Sequence, residues 1–251
     1  MASQIKAIIF DKDGTLFHYG EVWGTVISDS IKRGIPASHL SEAKFDKCVF
    51  DLERITGVDR YGASYKDGLI FRHKRKLGAI IKLLGVVIKY RLRPIKAFKA
   101  FAAIGANPNC GLDEKLASYD FSKTIEAIEE CHKKGYILGV VTHDKTDSAS
   151  KFMKWIDPNG RISFISFGDG EFEKKPHPES ANRFLDMFGL SSSELCVVGD
   201  SITDMIFASN ANAGRKVALL SGSGDEKRLS KLSDVLYKDI TEFLSDPILF
   251  G

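Results

Sequence analysis

Short apolar runs alternating with stretches of helical spacing predict a parallel α/β fold for this chain of 251 residues. Three observations carry that expectation. IKAIIF (Ile5 to Phe10), YILGVV (Tyr136 to Val141), RISFISF (Arg161 to Phe167), LCVV (Leu195 to Val198) and KVALL (Lys216 to Leu220) are short and mostly apolar, as strands buried on both faces are. Helical periodicity separates the later runs: Thr124 to Lys134, Ala149 to Trp155, Pro178 to Phe188 and Thr203 to Ala213. Three of these stretches stop at or before a glycine, Gly135, Gly189 and Gly214, the residue that most readily closes a helix. Finally, the first run ends abruptly in the acidic turn DKDGT.

Between Phe17 and about Tyr119 the alternation stops and no strand run stands out. Glu21 to Lys32, Leu40 to Ile55, Gly68 to Leu92 and Ile95 to Ile104 read as helices. In the third, Leu77, Ile80, Ile81, Leu84, Val87 and Ile88 share one face, expected to be the core of this region. Arg75, Lys82 and Lys89 recur on another face, and Pro94 is expected to end the helix near Arg93. The expected division is therefore 1–16 and 121–251 as one α/β domain, with 17–120 as an all-helical insert.

Composition narrows the class. Apolar residues are 43% and charged residues 27%, which excludes a disordered chain, collagen or a coiled-coil rod. A net charge of +3 does not mark a nucleic-acid binder, and none is expected. The charge is uneven, however. From Gly68 to Leu112 there is no Asp or Glu but ten Lys or Arg, while the remainder is net acidic. A solvated face, contact with an anionic leaving group, and weak contact with an anionic surface are the readings of this basic stretch. Cys48, Cys110, Cys131 and Cys196 form no CxxC pair, so a zinc or redox motif is not expected. The first apolar run stops at Asp11 and Lys82 interrupts the longest one. These features lead to the expectation of a cytoplasmic protein without integral membrane association.

In an open parallel sheet, ligands bind at the carboxyl ends of the strands. After the first run come Asp11, Lys12, Asp13, Gly14 and Thr15; after the second, Thr142; after the third, Lys174 and Lys175; after the fourth, Gly199, Asp200, Ser201 and Asp204. Carboxylates offer hard oxygen ligands that suit Mg²⁺. Lysine offers a point charge for a phosphate oxygen, and Thr142 a hydroxyl. The backbone of the Asp–Gly turn can cradle an anion. Together these groups suit phosphoryl transfer through an aspartyl-phosphate.

These residues resemble the haloacid dehalogenase superfamily, and within it the phosphoglycolate phosphatase-like hydrolases. FDKDGTL (Phe10 to Leu16), VVT ending at Thr142, the Lys175–Pro176 pair of KKPHPE, and GDSITD (Gly199 to Asp204) match the four family motifs in order. ASNANAG (Ala208 to Gly214) continues the likeness. The resemblance implies a Rossmann-like three-layer core with a helical cap inserted after the first motif. It implies Asp11 as nucleophile and Asp13 as general acid and base. Thr142 and Lys175 would hold phosphoryl oxygens, with Gly14 and His143 counted in the same phosphate-binding group. Asp11, Asp200 and the Asp13 carbonyl would ligate Mg²⁺, and Asp204 would support that shell. Lys12 departs from the apolar residue that many relatives carry there, and His18 stands where an acidic residue is common.

The expected activity is Mg²⁺-dependent hydrolysis of a small phosphorylated metabolite, with phosphoglycolate the first candidate by resemblance. A phosphomutase, a phosphonate hydrolase, and a non-catalytic phospho-acceptor or binding protein are the alternatives. Asp13 favours phosphate over carbon–halogen chemistry, because a halide leaves unprotonated. His18 and His177 read as exposed or structural side chains, and the sequence leaves oligomeric state open.

Overall fold

The computed structural model describes residues 4–35, 37–62, 68, 76–99 and 112–251. Six strands, β1 (Ala7–Phe10), β2 (Ile137–Val141), β3 (Ile162–Ser166), β4 (Leu195–Gly199), β5 (Arg215–Leu219) and β6 (Val235–Tyr237), form one sheet in the order β3-β2-β1-β4-β5-β6. In chain order the longer helices are α1 (Tyr19–Gly34), α2 (Glu42–Thr56), α3 (Lys76–Lys89), α4 (Leu112–Ala117), α5 (Ser122–Lys133), α6 (Thr146–Ile156), α7 (Glu179–Phe188) and α8 (Ile202–Asn210). Two single turns follow, α9 (Glu226–Leu229) and α10 (Ile240–Phe243).

Every strand pair is parallel, and β1 lies between β2 and β4, with Ala7 level with both Ile137 and Leu195. All four β1 side chains are buried, as an AIIF run covered on both faces requires. From β1 the chain builds outward to β3, then crosses back to β4 and builds outward to β6. The order therefore reverses at β1, which places a crevice at the carboxyl ends of β1, β2 and β4. One sheet face packs Ala7, Ile9, Val197 and Leu195 against Phe184 and Ala181 of α7 and Phe207 and Ala208 of α8. Phe10, Phe243 and Phe250 form an edge-on aromatic chain. This is an α/β Rossmann-like fold.

Two compact units divide the chain: Met1–His18 with Asp120–Gly251, and Tyr19–Tyr119. In the second unit, α1 packs on α2 and on α4, and α2 packs on α3. Asp51 of α2 accepts hydrogen bonds from Lys89 Nζ (2.7 Å) and Tyr90 Oη (2.8 Å), which joins α3 to α2. Among the described residues this unit contains no strand. Arg72, Lys74, Arg75, Cys110 and the expected helical stretch 100–104 lie outside the described residues.

Several boundaries differ from the sequence reading, for physical reasons. β6 went unread because VLY is only three residues long and half-buried at a sheet edge, so no alternation develops. α3 ends at Lys89, earlier than expected: Arg91 takes a positive φ of 51° and turns the chain before Pro94, and residues 94–99 form a further helical turn. α8 ends at Asn210, with Asn212 at φ 53°, rather than running to Gly214.

The expected core stripe of α3 is the largest correction. Leu83, Val86 and Val87 are buried. Ile80, Ile81, Leu84 and Ile88 are instead exposed, and Ile88 retains 75% of its accessible surface. The helix is apolar on two sides, and periodicity alone cannot say which side the fold covers.

Candidate active site

The loop after β1 is built around a tight turn. Leu16 N–H donates to the Lys12 carbonyl (3.0 Å), and Gly14 takes a φ of +88°. A Cβ at Gly14 would lie 2.7 Å from Gly222 Cα and 2.8 Å from the Asp200 carboxylate, so only glycine fits both the dihedral and the space. Asp11 N–H donates to the Val198 carbonyl (2.9 Å), which extends the β1–β4 pairing by one residue and sets Asp11 at the strand end.

Asp11 meets Lys175, whose ammonium donates to Asp11 Oδ1 (2.5 Å) and Asp204 Oδ1 (2.6 Å). One oxygen each of Asp11, Asp200 and Asp204 lies within 4.8 Å of the others. Asp204 is held by Ser201, whose N–H and hydroxyl donate to its Oδ2, a capping box at the start of α8. Asp200 Oδ2 accepts from Ser223 N–H (2.5 Å) and Ser223 Oγ (2.9 Å). A Cβ on Gly222 would sit 2.0 Å from that same oxygen.

Electrostatics follow from crowding in a dry place. Burial, with Asp204 and Asp200 nearby, pushes the Asp11 carboxyl well above the usual carboxylate range despite the opposing pull of Lys175. Burial and Asp204 raise Asp200 to about 7, against the Ser223 hydrogen bonds and Lys175. Burial would lower Lys175, but Asp11 and Asp204 outweigh it and hold the ammonium charged. Three carboxyl groups crowd around one ammonium, so they ionise together only when a further cation joins them.

Lys12 of the same loop is the centre of a second cluster. Lys12 is buried, with 1% of its side chain exposed, and its Nζ lies 2.7 Å from Asp13 Oδ2 and 2.9 Å from Asp144 Oδ2. The Phe17 and Phe152 rings stand 5.1 and 4.7 Å from the ammonium, within cation–π reach. Burial pulls the Lys12 pKa down, but Asp13 and Asp144 more than restore it. Asp144 is raised, by burial first and Asp13 next, against Lys12.

Thr142 at the end of β2 is buried and its Oγ1 accepts from Asp144 N–H (3.1 Å), which leaves the hydroxyl proton available to an anion. His143 Nε2 lies 3.1 Å from the Lys175 carbonyl. Burial and the Lys175 charge keep His143 below its ordinary pKa. The structure thus gathers Asp11, Lys175, Asp200 and Asp204 in one group. The Asp13 carboxylate stands with Lys12 and Asp144, not with the three clustered carboxylates. Asp204, expected only to support the cluster, is one of its three members.

Sequence reasoning missed the loop after β5. Ser221 Oγ donates to the Gly14 carbonyl (2.7 Å), Gly222 makes room for Asp200, and Ser223 holds it. The signal was the SGSG run directly after a strand. Lys12 was also unplaced, because nothing in its neighbours names Asp144 as a partner.

Known proteins resemble this chain in sequence and in fold. Residues 111–218 match the haloacid dehalogenase-like hydrolase family. The chain is 29% identical over 119 residues to phosphoglycolate phosphatase of Aliivibrio fischeri, covering 47% of this chain and 52% of that one. It is 29% identical over 135 residues to pyrophosphatase PpaX of Bacillus velezensis, covering 50% and 61%. These matches span about half to three-fifths of the curated relatives' length. In fold, a predicted phosphoglycolate phosphatase from Haemophilus somnus 129PT superposes with a TM-score of 0.61 at 20% identity, over 98% of this chain and 99% of that one. A proposed β-phosphoglucomutase from Thermotoga maritima gives 0.60 at 18% identity, over 96% and 97%. The chain is thus similar to haloacid dehalogenase-like hydrolases, in sequence over residues 111–218 and in fold over nearly its whole length.

Proposed function

We propose that the protein is a Mg²⁺-dependent phosphatase that cleaves a small phosphorylated metabolite through an aspartyl-phosphate at Asp11. The observation that carries this reading is the buried Lys175 ammonium shared by Asp11 and Asp204 beside Asp200. In this reading Asp11 is the nucleophilic carboxylate, Lys175 the fixed cation, and Asp200 and Asp204 two further oxygen donors. The names of the relatives, phosphoglycolate phosphatase and pyrophosphatase, point to the same substrate class.

An Asp11 oxygen attacks phosphorus and the bond from phosphorus to the leaving oxygen breaks. Asp13 gives its proton to that oxygen. A water then attacks the aspartyl-phosphate, Asp13 takes the water proton, and Asp11 is regenerated with release of phosphate. Lys175 and the Thr142 hydroxyl hold phosphoryl oxygens as charge builds on them. The crowded, all-oxygen donor set of Asp11, Asp200 and Asp204 fits a divalent cation, with the Asp13 carbonyl as the further ligand that the family resemblance implies. When bound, Mg²⁺ supplies positive charge that offsets the carboxylates and polarises the phosphoryl group. The helical unit, inserted directly after the loop that carries Asp11 and Asp13, acts as the cap that selects the leaving group.

Phosphate release from a panel of phosphorylated metabolites, with and without Mg²⁺, tests the reading. Wild type should release phosphate only with Mg²⁺. Asp11→Asn should release none while keeping its melting temperature, since the amide matches the carboxylate in size but is a poor nucleophile. Wild-type turnover in Asp11→Asn would remove the nucleophile assignment. Transfer of phosphate between two positions of a sugar without net release would establish a mutase instead.

A further inference from the structure

The exposed face of α3 is unlike the rest of the surface. Ile80, Leu84 and Ile88 stand four residues apart in one row with Ile81 beside them, and they are 44%, 42%, 75% and 61% exposed. Ile95, past the turn, is 72% exposed. Its neighbours in sequence Arg91, Arg93, Lys96 and Lys99 are exposed too. The side of α3 bearing Leu83, Val86 and Val87 is buried, so the exposed row is a second apolar face and not a displaced core. We propose that this face docks on an anionic lipid surface, with the aliphatic row in the interface and the flanking Lys and Arg on acidic headgroups.

Charge and shape choose this occupant. No acidic residue lies between Gly68 and Leu112, against ten basic ones. A second copy would bring two such basic stretches together and meet repulsion. Nucleic acid would use the charge but leave the aliphatic row unserved, since bases stack on aromatic rings and not on Ile and Leu. An anionic bilayer serves both features: apolar side chains enter the acyl boundary, and each basic residue near the surface adds attraction. At 14 residues α3 is about 21 Å long, which suits lying in the interface, and no described helix is long and apolar enough to cross a membrane. The proposal does not depend on the catalytic reading.

Flotation of the full chain with vesicles tests it. With vesicles of phosphatidylcholine containing about 30 mol% phosphatidylserine the protein should float, and with phosphatidylcholine alone at least about tenfold more lipid should be needed. Raising the salt concentration should release it. Ile81→Gln with Ile88→Gln, and separately Arg91→Gln with Arg93→Gln and Lys96→Gln, should each weaken binding by at least about tenfold. Unchanged melting temperature and an unchanged far-ultraviolet circular dichroism spectrum would show that these surface variants are folded. Absence of binding to the acidic vesicles, equal binding to both vesicles, or binding untouched by the Ile substitutions would overturn the proposal. So would a wild-type dimer in solution that Ile81→Gln with Ile88→Gln dissociates, which would assign the face to self-association.

Discussion

Two lysines of one unit are each buried between two carboxylates, yet they sit in different company. Lys175 bridges Asp11 and Asp204 with Asp200 close by, so three carboxyl groups crowd one ammonium. Lys12 bridges Asp13 and Asp144, but its remaining neighbours are the Phe17 and Phe152 rings. The first cluster has more carboxyl groups than ammonium groups and fits a further cation. The second is closed by aromatic rings and has the form of a positioning device for Asp13. A buried ion pair is thus read by what surrounds it, because desolvation cancels most of its own contribution to stability.

Substitutions can break this comparison. Lys175→Met should have the largest effect, lowering kcat/KM by on the order of a thousandfold for every phosphate ester, because it removes a fixed charge from the transferring group. A loss confined to one substrate would contradict the assignment. Lys12→Met should lower kcat by on the order of a hundredfold for alkyl phosphates, whose leaving oxygen needs a proton. On 4-nitrophenyl phosphate, which departs readily as the anion, the same variant should lose only a few-fold. Equal losses on both substrates would make Lys12 purely structural. Asp13→Asn, run in parallel, should show the same selectivity more strongly. If Asp13→Asn shows no selectivity, the role of Asp13 itself is wrong.

A third ion pair sharpens the contrast. Arg215 at the start of β5 donates to the fully buried Asp246 (2.5 Å), whose other oxygen accepts the N–H groups of Ile248 and Leu249. Neither residue is among those gathered at the strand ends. Asp246→Ala should cost about 3–5 kcal/mol of stability, seen in denaturant melts. Hydrolysis below the melting temperature should be unchanged.

The smallest effect concerns pH. Burial and Lys175 hold His143 below its ordinary pKa, so the unfolded chain takes up a proton before the folded one. Its contribution to stability is present above the ordinary imidazole pKa of about 6.5 and is lost as pH falls through the lower, folded value. His143→Gln should therefore flatten the acid side of the stability profile. An unchanged slope would show that His143 is not the group responsible.

Much of the core was legible in the chain. β1 to β5 announce themselves because strands buried on both faces need unbroken apolar runs, and their turns need Gly and Asp. Asp11, Thr142, Lys175 and Asp200 could be listed because a parallel sheet sends residues that follow its strands to one edge. Ser223 and Gly222 could have been found from SGSG after β5. Asp144 as the partner of Lys12 could not, since 132 positions separate them.

The sequence by itself determined the parallel α/β class, the helical insertion and the set of charged residues at the strand ends. Those follow from local periodicity and strand direction. Only the tertiary structure decided which carboxylate each buried lysine meets, that Asp204 joins the Asp11 cluster while the Asp13 carboxylate does not, and which of the two apolar sides of α3 is covered. Pairing across the sheet and burial of a helix face depend on contacts between residues far apart in the chain, and no local pattern encodes them.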